Sequence, residues 1–232
     1  MQKRVTIAVI LILGMLIACR TAPAPGTSML AAPAPVAPPP PPPPVATSTA
    51  WIPADPAKLC ADARLFDLCA ELLELRDRDQ LIRRKWLADR ENPSVQAEVD
   101  EVDRANLVEI ERIIAKHGYP GRSLVGAKAA GSAWTIIQHA DLATQKKYLD
   151  VMTKAVDSGD LEGALLATTV DRIRIREGKP QVYGSQFHEV DGVMVPQPIE
   201  DPEHVDERRA KVGLQPLADY AALMNEMYKK TQ

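Results

Sequence analysis

Aromatic residues are scarce in this 232-residue chain: three Trp, five Tyr and two Phe make up 4% of it. So few rings offer few platforms on which bases could stack, and no basic run or aromatic-basic stripe stands out. With a formal net charge of -3, the chain is not expected to take a nucleic-acid partner. Histidine numbers only four, and neither His-x-x-x-His nor Cys-x-x-Cys occurs, so no helix carries a ready pair of metal ligands. A metal would need ligands gathered from separate helices; none is expected, and no cofactor motif is present. Ser132 and Ser185 lack the strand-turn-helix setting of a nucleophile elbow. Proline, by contrast, is abundant but uneven: eleven of the 20 lie between Pro23 and Pro44.

That unevenness separates the ends of the chain. Lys3 and Arg4 precede the apolar run Val5 to Ile17, which is too short for a comfortable membrane span and reads as an export signal. The run closes in Leu16-Ile17-Ala18-Cys19, which resembles the lipobox of bacterial lipoproteins, where the signal is cut before the cysteine and the cysteine is acylated. A plain uncleaved anchor is the alternative. Two or three acyl chains anchor stably where one does not, and Arg20, not being Asp, resembles the outer-membrane-directed members of that class. Thr21 to Ala50 is built of Ala, Pro, Ser and Thr with seven consecutive prolines at Pro38 to Pro44. Such a composition buries no core and favours polyproline II, a spacer reaching about 90 Å at about 3.1 Å per residue. A proline-rich ligand for a partner module is the other reading. The expected organisation is a lipoprotein signal over 1–18, a lipidated Cys19 with a disordered linker over 19–50, and a helical domain over 51–232, held in the cell envelope with its domain in the periplasm.

From Trp51 onward apolar residues recur three and four apart, the pattern of helices. The reading is mainly α, a single domain of six to seven helices with one small β-hairpin. Leu65, Leu68, Leu72, Leu75, Ile82 and Trp86 make one stripe, and the position that completes it is Asp79, with Arg83 one turn on. A second helix, capped by Ser94, runs to His117 with Val99, Val102, Ile110 and Ile113 facing in; Asn106 fills the vacant place in that stripe beside Asp103. A third helix leads through Trp134 to the polar end Gln138-His139-Ala140-Asp141. Asp141 caps the fourth, Asp160 caps the fifth, which places Asp171 on an apolar face, and Gly178 with Pro180 stops it. Asp191-Gly192 between short β-type runs marks the hairpin, and two helices follow it. Cys60 and Cys69 would lie about 13 Å apart on one continuous helix. They pair only if the chain turns between Asp62 and Asp67, which the sequence leaves open.

Ionised or amide groups on core faces are costly unless paired. Asp79, Asp103, Asn106 and Asp171 therefore need partners, and the available ones are Arg83, His139, Arg172, Gln138, Gln181, Tyr183, Gln186 and Arg209. A buried network that fixes helix register explains such a set, and so does a polar cleft that serves a ligand; the size of the set favours the cleft.

Several ordered segments carry a resemblance. They are Asp79-Gln80-x-x-Arg83, Asp103-x-x-Asn106, His117 to Gly121, Val125-Gly126, Ala133-Trp134 through Gln138-His139-Ala140-Asp141, Asp171-Arg172, Gly178 to Gln186, Asp206 to Arg209 and Gly213 to Leu217. Over roughly Leu72 to Tyr220 the chain resembles an uncharacterised bacterial family, a domain of unknown function. Tyr119 stands where that family suggests tryptophan, and Ser185 where threonine is commoner. The family brings no activity with it. Two functional expectations follow from the residues themselves. One is a hydrolase or transferase with His139 as general base or acid, oriented by Asp171 or Asp103, and with Arg172 or Arg209 holding an anionic substrate group. The other is a binding module for a small polar ligand, a cell-wall fragment or an envelope partner.

Overall fold

The fold is that of a computed structural model, which describes Cys60 and residues 62–229. The signal run, Cys19, the proline-rich spacer and the start of the domain at Trp51 lie outside the described residues. Among those described there are eight α-helices and one two-stranded antiparallel sheet, a mainly α architecture with one helix more than expected. None of these helices is long and apolar enough to cross a membrane.

Helices α1 (Phe66–Ala88) and α2 (Pro93–His117) form an antiparallel pair, with Glu71 against Arg112 at one end and Lys85 against Glu98 at the other. Leu68, Leu72, Leu75 and Ile82 bury the stripe of α1, and Val95, Val99, Ile110 and Ile113 that of α2; Asp79 and Asn106 are buried in line with them. The cap of α2 is Asn92, not Ser94: its side chain accepts the Ser94 N–H at 3.0 Å, while Pro93, which has no N–H to satisfy, takes the first helical position. Before α1 the chain makes a 3-10 turn at Ala63–Leu65, which brings Cys60 and Cys69 to a Cα separation of 5.9 Å as a disulfide.

The expected third helix is two. Gly126 at φ 77° breaks the path of α3 (Arg122–Ala129), a left-handed conformation that a side chain would resist, and α4 (Ser132–Ile137) follows as a separate, entirely buried turn and a half. Trp134 sits at the centre of the main core, fully buried with Leu72, Ile110, Ile113, Val125, Ile137 and Met152, and its indole N–H donates to Leu165 O at 2.9 Å and Thr169 Oγ1 at 3.0 Å. Truncating such a residue to Ala costs about 3–5 kcal/mol.

Asp141 caps α5 (Leu142–Asp157) as expected, accepting from Thr144 N at 2.7 Å. Asp160 does not cap the next helix. Its carboxylate accepts from Ser123 N at 2.7 Å and its carbonyl from Arg122 N at 2.9 Å, so it closes the start of α3 instead, and α6 (Gly163–Arg176) begins without a side-chain cap. The hairpin is β1 (Phe187–Val190) and β2 (Val193–Pro196), in register Phe187 to Pro196 and Val190 to Val193. Asp191 and Gly192 both have positive φ, as a two-residue type I′ turn requires. It packs Phe187 and Met194 against Met224 of α8 (Leu217–Lys229), after α7 (Val205–Lys211), in a small second core.

Candidate functional site

Three separate elements meet at His139. It stands just beyond the end of α4, where the helix stops after Ile137 and the chain must turn toward the Asp141 cap of α5. Its Nδ1 lies 2.7 Å from Asp79 Oδ1 of α1. A carboxylate only accepts, so the Nδ1 proton is the one donated and Nε2 keeps its lone pair. Asp79 is 1% exposed, and its other oxygen accepts from Gln80 Nε2 at 2.8 Å. One turn on, Arg83 Nη2 lies 3.7 Å from Asp79 Oδ1 and donates in a close ion pair to Asp103 of α2. The imidazole is 16% exposed, and Arg83 and Asp103 are also mostly covered.

Burial dominates the electrostatics of this group. It pushes the His139 pKa below its ordinary 6.5, against the Asp79 hydrogen bond, and the Arg83 and Arg172 charges push the same way. It raises Asp103 above its ordinary 3.8, against the pairing with Arg83. His139 is therefore a neutral base at neutral pH, oriented by a carboxylate.

Asp79, Asp103 and His139 each bring a donor atom within 4.8 Å of the others, a potential metal-ligand set that the sequence did not reveal because its members come from three elements. Arg83 contacts both acids and supplies the countercharge that a cation would otherwise provide. Asn106, expected at the ligand, instead bolts the helix pair: its Oδ1 accepts from Arg78 Nε at 2.7 Å and its Nδ2 donates to Leu75 O at 3.3 Å.

The remaining expected residues gather elsewhere. Asp171 on α6 does not orient His139. Its Oδ1 accepts from Val182 N and Tyr183 N at 2.7 and 2.9 Å, and its Oδ2 from Ser185 N and Oγ at 2.9 and 2.8 Å. With four donors satisfied and no exposure, it wraps the loop after Pro180 and has nothing left for a ligand. Gln181 and Gln186 close the same loop: Gln181 Oε1 accepts from Gln186 N, and Gln181 Nε2 donates to Gln186 O and Gln197 O. Arg209 holds it from α7, donating to Tyr183 O at 2.6 Å and Gln215 O at 2.6 Å, with its guanidinium 5.1 Å from the Tyr220 ring centroid. Tyr183 contributes its backbone to this wrapping and is half-buried. The polar set thus divides into a His139 group and a loop-holding group.

Arg172 joins them. Its Nη1 donates to Gln138 O at 2.7 Å and its Nε to Gln186 Oε1 at 3.4 Å. Two further residues, absent from the expected set, pin the His139 segment. Arg176 Nη1 donates to Ala140 O at 2.8 Å, and Gln145 Nε2 reaches Gln138 O at 2.6 Å and Ala140 O at 3.3 Å. Their signal in the sequence was one of spacing: Arg176 lies one turn beyond Arg172, and Gln145 four residues beyond Asp141.

The fold and site define an all-α domain with a buried Asp-His-Arg group at the junction of α1, α2 and the end of α4. A family model matches residues 66–231, and the chain belongs to that family, the family of unknown function DUF6624. No curated protein and no solved structure matches it.

Proposed function

We propose that the chain is a lipid-anchored protein of the bacterial envelope whose helical domain is a hydrolase or transferase with His139 as general base. The observation that carries the catalytic reading is the 2.7 Å contact between His139 Nδ1 and the buried Asp79 carboxylate. That contact fixes the tautomer and leaves Nε2 to take a proton, and the carboxylate stabilises the imidazolium so formed. Asp79 replaces Asp171 and Asp103 in the orienting role. Among the described residues no hydroxyl or thiol bonds the His139 ring, which favours water as the nucleophile. In the proposed step Nε2 takes a proton from water, the oxygen attacks the acyl or phosphoryl centre, and the imidazolium returns the proton to the leaving group. The test is a screen of ester, amide and phosphoester substrates with wild type and His139→Ala. Turnover lost in the variant, at a stability within about 1–2 kcal/mol of wild type, supports the reading; turnover retained by His139→Ala overturns it.

The second reading, a binding module for a small polar ligand, cell-wall fragment or envelope partner, draws on the occupancy of Asp79. Three side chains, from His139, Gln80 and Arg83, already converge on it, as suits a rigid recognition site. A ligand that raises the melting temperature without product formation favours it.

The localisation rests on the apolar run, the Leu16 to Cys19 lipobox resemblance and the proline-rich spacer. The Cys60–Cys69 disulfide supports it, since disulfides persist in oxidising compartments such as the periplasm. An acylated Cys19 in the intact mass of membrane-extracted protein, and release by Cys19→Ala, test the anchor; a soluble wild-type protein with a free thiol refutes it.

A further inference from the structure

Arg172 is a buried cation with no carboxylate. It is 8% exposed, and its guanidinium donates to a backbone carbonyl and a glutamine amide, with no ion pair to any described residue. Desolvation draws its pKa down to about 10, and the neighbouring positive charges of Arg176 and Arg83 add to the shift. A guanidinium kept in low dielectric normally has an anion beside it, because the desolvation penalty is several kcal/mol per ion. Arg209, the other buried arginine, differs in place: its Nε and Nη1 donate to three loop carbonyls and it stacks on Tyr220, while its Nη2 is buried without a partner away from His139.

Two further polar atoms close by in the same part of the fold are left open. Arg83 Nε, a donor, is buried without a hydrogen-bond partner, a gap that an oxyanion would complete. Gln138 Oε1, on the residue whose carbonyl Arg172 holds, is also open, but as an acceptor it takes only a protonated oxygen such as the hydroxyl of hydrogen phosphate. Buried donors are nearly always satisfied, so an open Arg83 Nε in the same part of the fold as an unpaired guanidinium is a position that an anion can complete.

We propose that Arg172, with Arg83 and Arg176, forms an oxyanion subsite beside His139 that takes a carboxylate or phosphate group of the ligand. Arginine suits either, since its planar fork matches both bidentately. The inference deepens the catalytic reading by naming the substrate class, an anionic one, but the subsite stands whether or not His139 performs chemistry. Of the two arginines the sequence offered for this role, Arg172 is the one at His139, since it holds the carbonyl of the preceding residue, whereas Arg209 holds the loop at Tyr183.

The test uses the full chain in detergent, titrated with sodium phosphate and separately with sodium acetate at constant ionic strength, with chloride as the control. Two readouts are followed: the melting temperature, and the pH titration of the His139 ring by NMR. Phosphate or acetate should raise the melting temperature progressively where chloride does not, and the bound anion should raise the His139 pKa. The arm with the larger response distinguishes phosphate from carboxylate. Arg172→Gln should weaken the apparent affinity by about tenfold or more, while Arg172→Lys keeps the charge and part of the response. Arg112→Gln, an exposed control, should behave as wild type. Equal responses to phosphate, acetate and chloride in wild type, or an unmoved His139 ring, overturn the proposal even if Arg172→Gln fails to fold. Oxyanion binding without any turnover leaves the subsite standing and counts against the catalytic reading alone.

Discussion

His139 and Asp79 are sixty residues apart in the chain and share a hydrogen bond of 2.7 Å in the fold. The carboxylate enters along the apolar stripe of α1 and the imidazole from the end of α4, so the pair exists only once those two elements have docked.

Replacing Asp79 by Asn keeps the size of the side chain but removes its charge. The amide no longer stabilises the imidazolium and leaves Arg83 with Asp103 alone. Under the catalytic reading kcat should fall by about 10²–10⁴-fold, as for other oriented histidines that lose their carboxylate. The His139 pKa should move further down, because the partner that opposes desolvation is gone. Turnover assays and an NMR titration of the ring check both; an unchanged kcat refutes the role assigned to Asp79.

Stability should depend on pH through the same histidine. Its folded pKa lies below the ordinary 6.5, so as pH falls through 6.5 the unfolded chain takes up a proton that the folded one still refuses. The folded state therefore loses stability below pH 6.5, and the loss levels off once pH passes the folded pKa. Asp103 acts in the opposite sense at lower pH, since its raised pKa makes the folded state bind the proton first above 3.8. Urea melts from pH 4 to 8 should show the decline, and His139→Gln should flatten its upper part. A wild-type curve flat between pH 5 and 7 contradicts this.

Asp171 should prove structural. Asp171→Ala strands three backbone N–H groups and a hydroxyl that now end on one carboxylate, at about 1–3 kcal/mol for each one left buried and unpaired. The expected result is a loss of more than about 3 kcal/mol in denaturant unfolding, well beyond that of His139→Ala. A loss below about 1 kcal/mol would show that the loop does not depend on it.

The disulfide closes a short loop, and the chain-entropy model assigns such a crosslink about 2–3 kcal/mol. Cys60→Ser with Cys69→Ser, or reduction by dithiothreitol, should lower the denaturant midpoint accordingly without changing anion binding at Arg172. A midpoint that ignores the reductant argues that the two thiols are unpaired in the protein.

How much of this was legible beforehand depended on range. Asp79 and Asn106 announced themselves because a polar residue in an otherwise apolar helical period is a local signal, and both are buried where the period puts them. Asp141 and the Asp191-Gly192 turn were readable for the same reason. What failed was pairing across the chain. Asp160 has the spacing of a cap for α6, yet its carboxylate meets Ser123, 37 residues earlier. Asp171 lies on an apolar helix face, where the sequence pointed to His139 as its partner; backbone N–H groups of the following loop, invisible in any side-chain pattern, satisfy it instead. Likewise the metal-type grouping of Asp79, Asp103 and His139 has no sequence spacing to betray it.

The carbonyls on either side of His139 are held by Arg172 and Arg176, successive turns of α6. The imidazole is thus aimed by a helix to which it does not belong. A slide of α6 by a fraction of a turn would pull residues 138–140 against the hold of Gln145 from α5 on the same two carbonyls, and re-aim Nε2 to the extent that α6 wins while Asp79 stayed on α1. The angle between base and carboxylate is then a gauge of where α6 sits, and a distant change in the loop that Asp171 wraps would be felt at the ring as a change in direction.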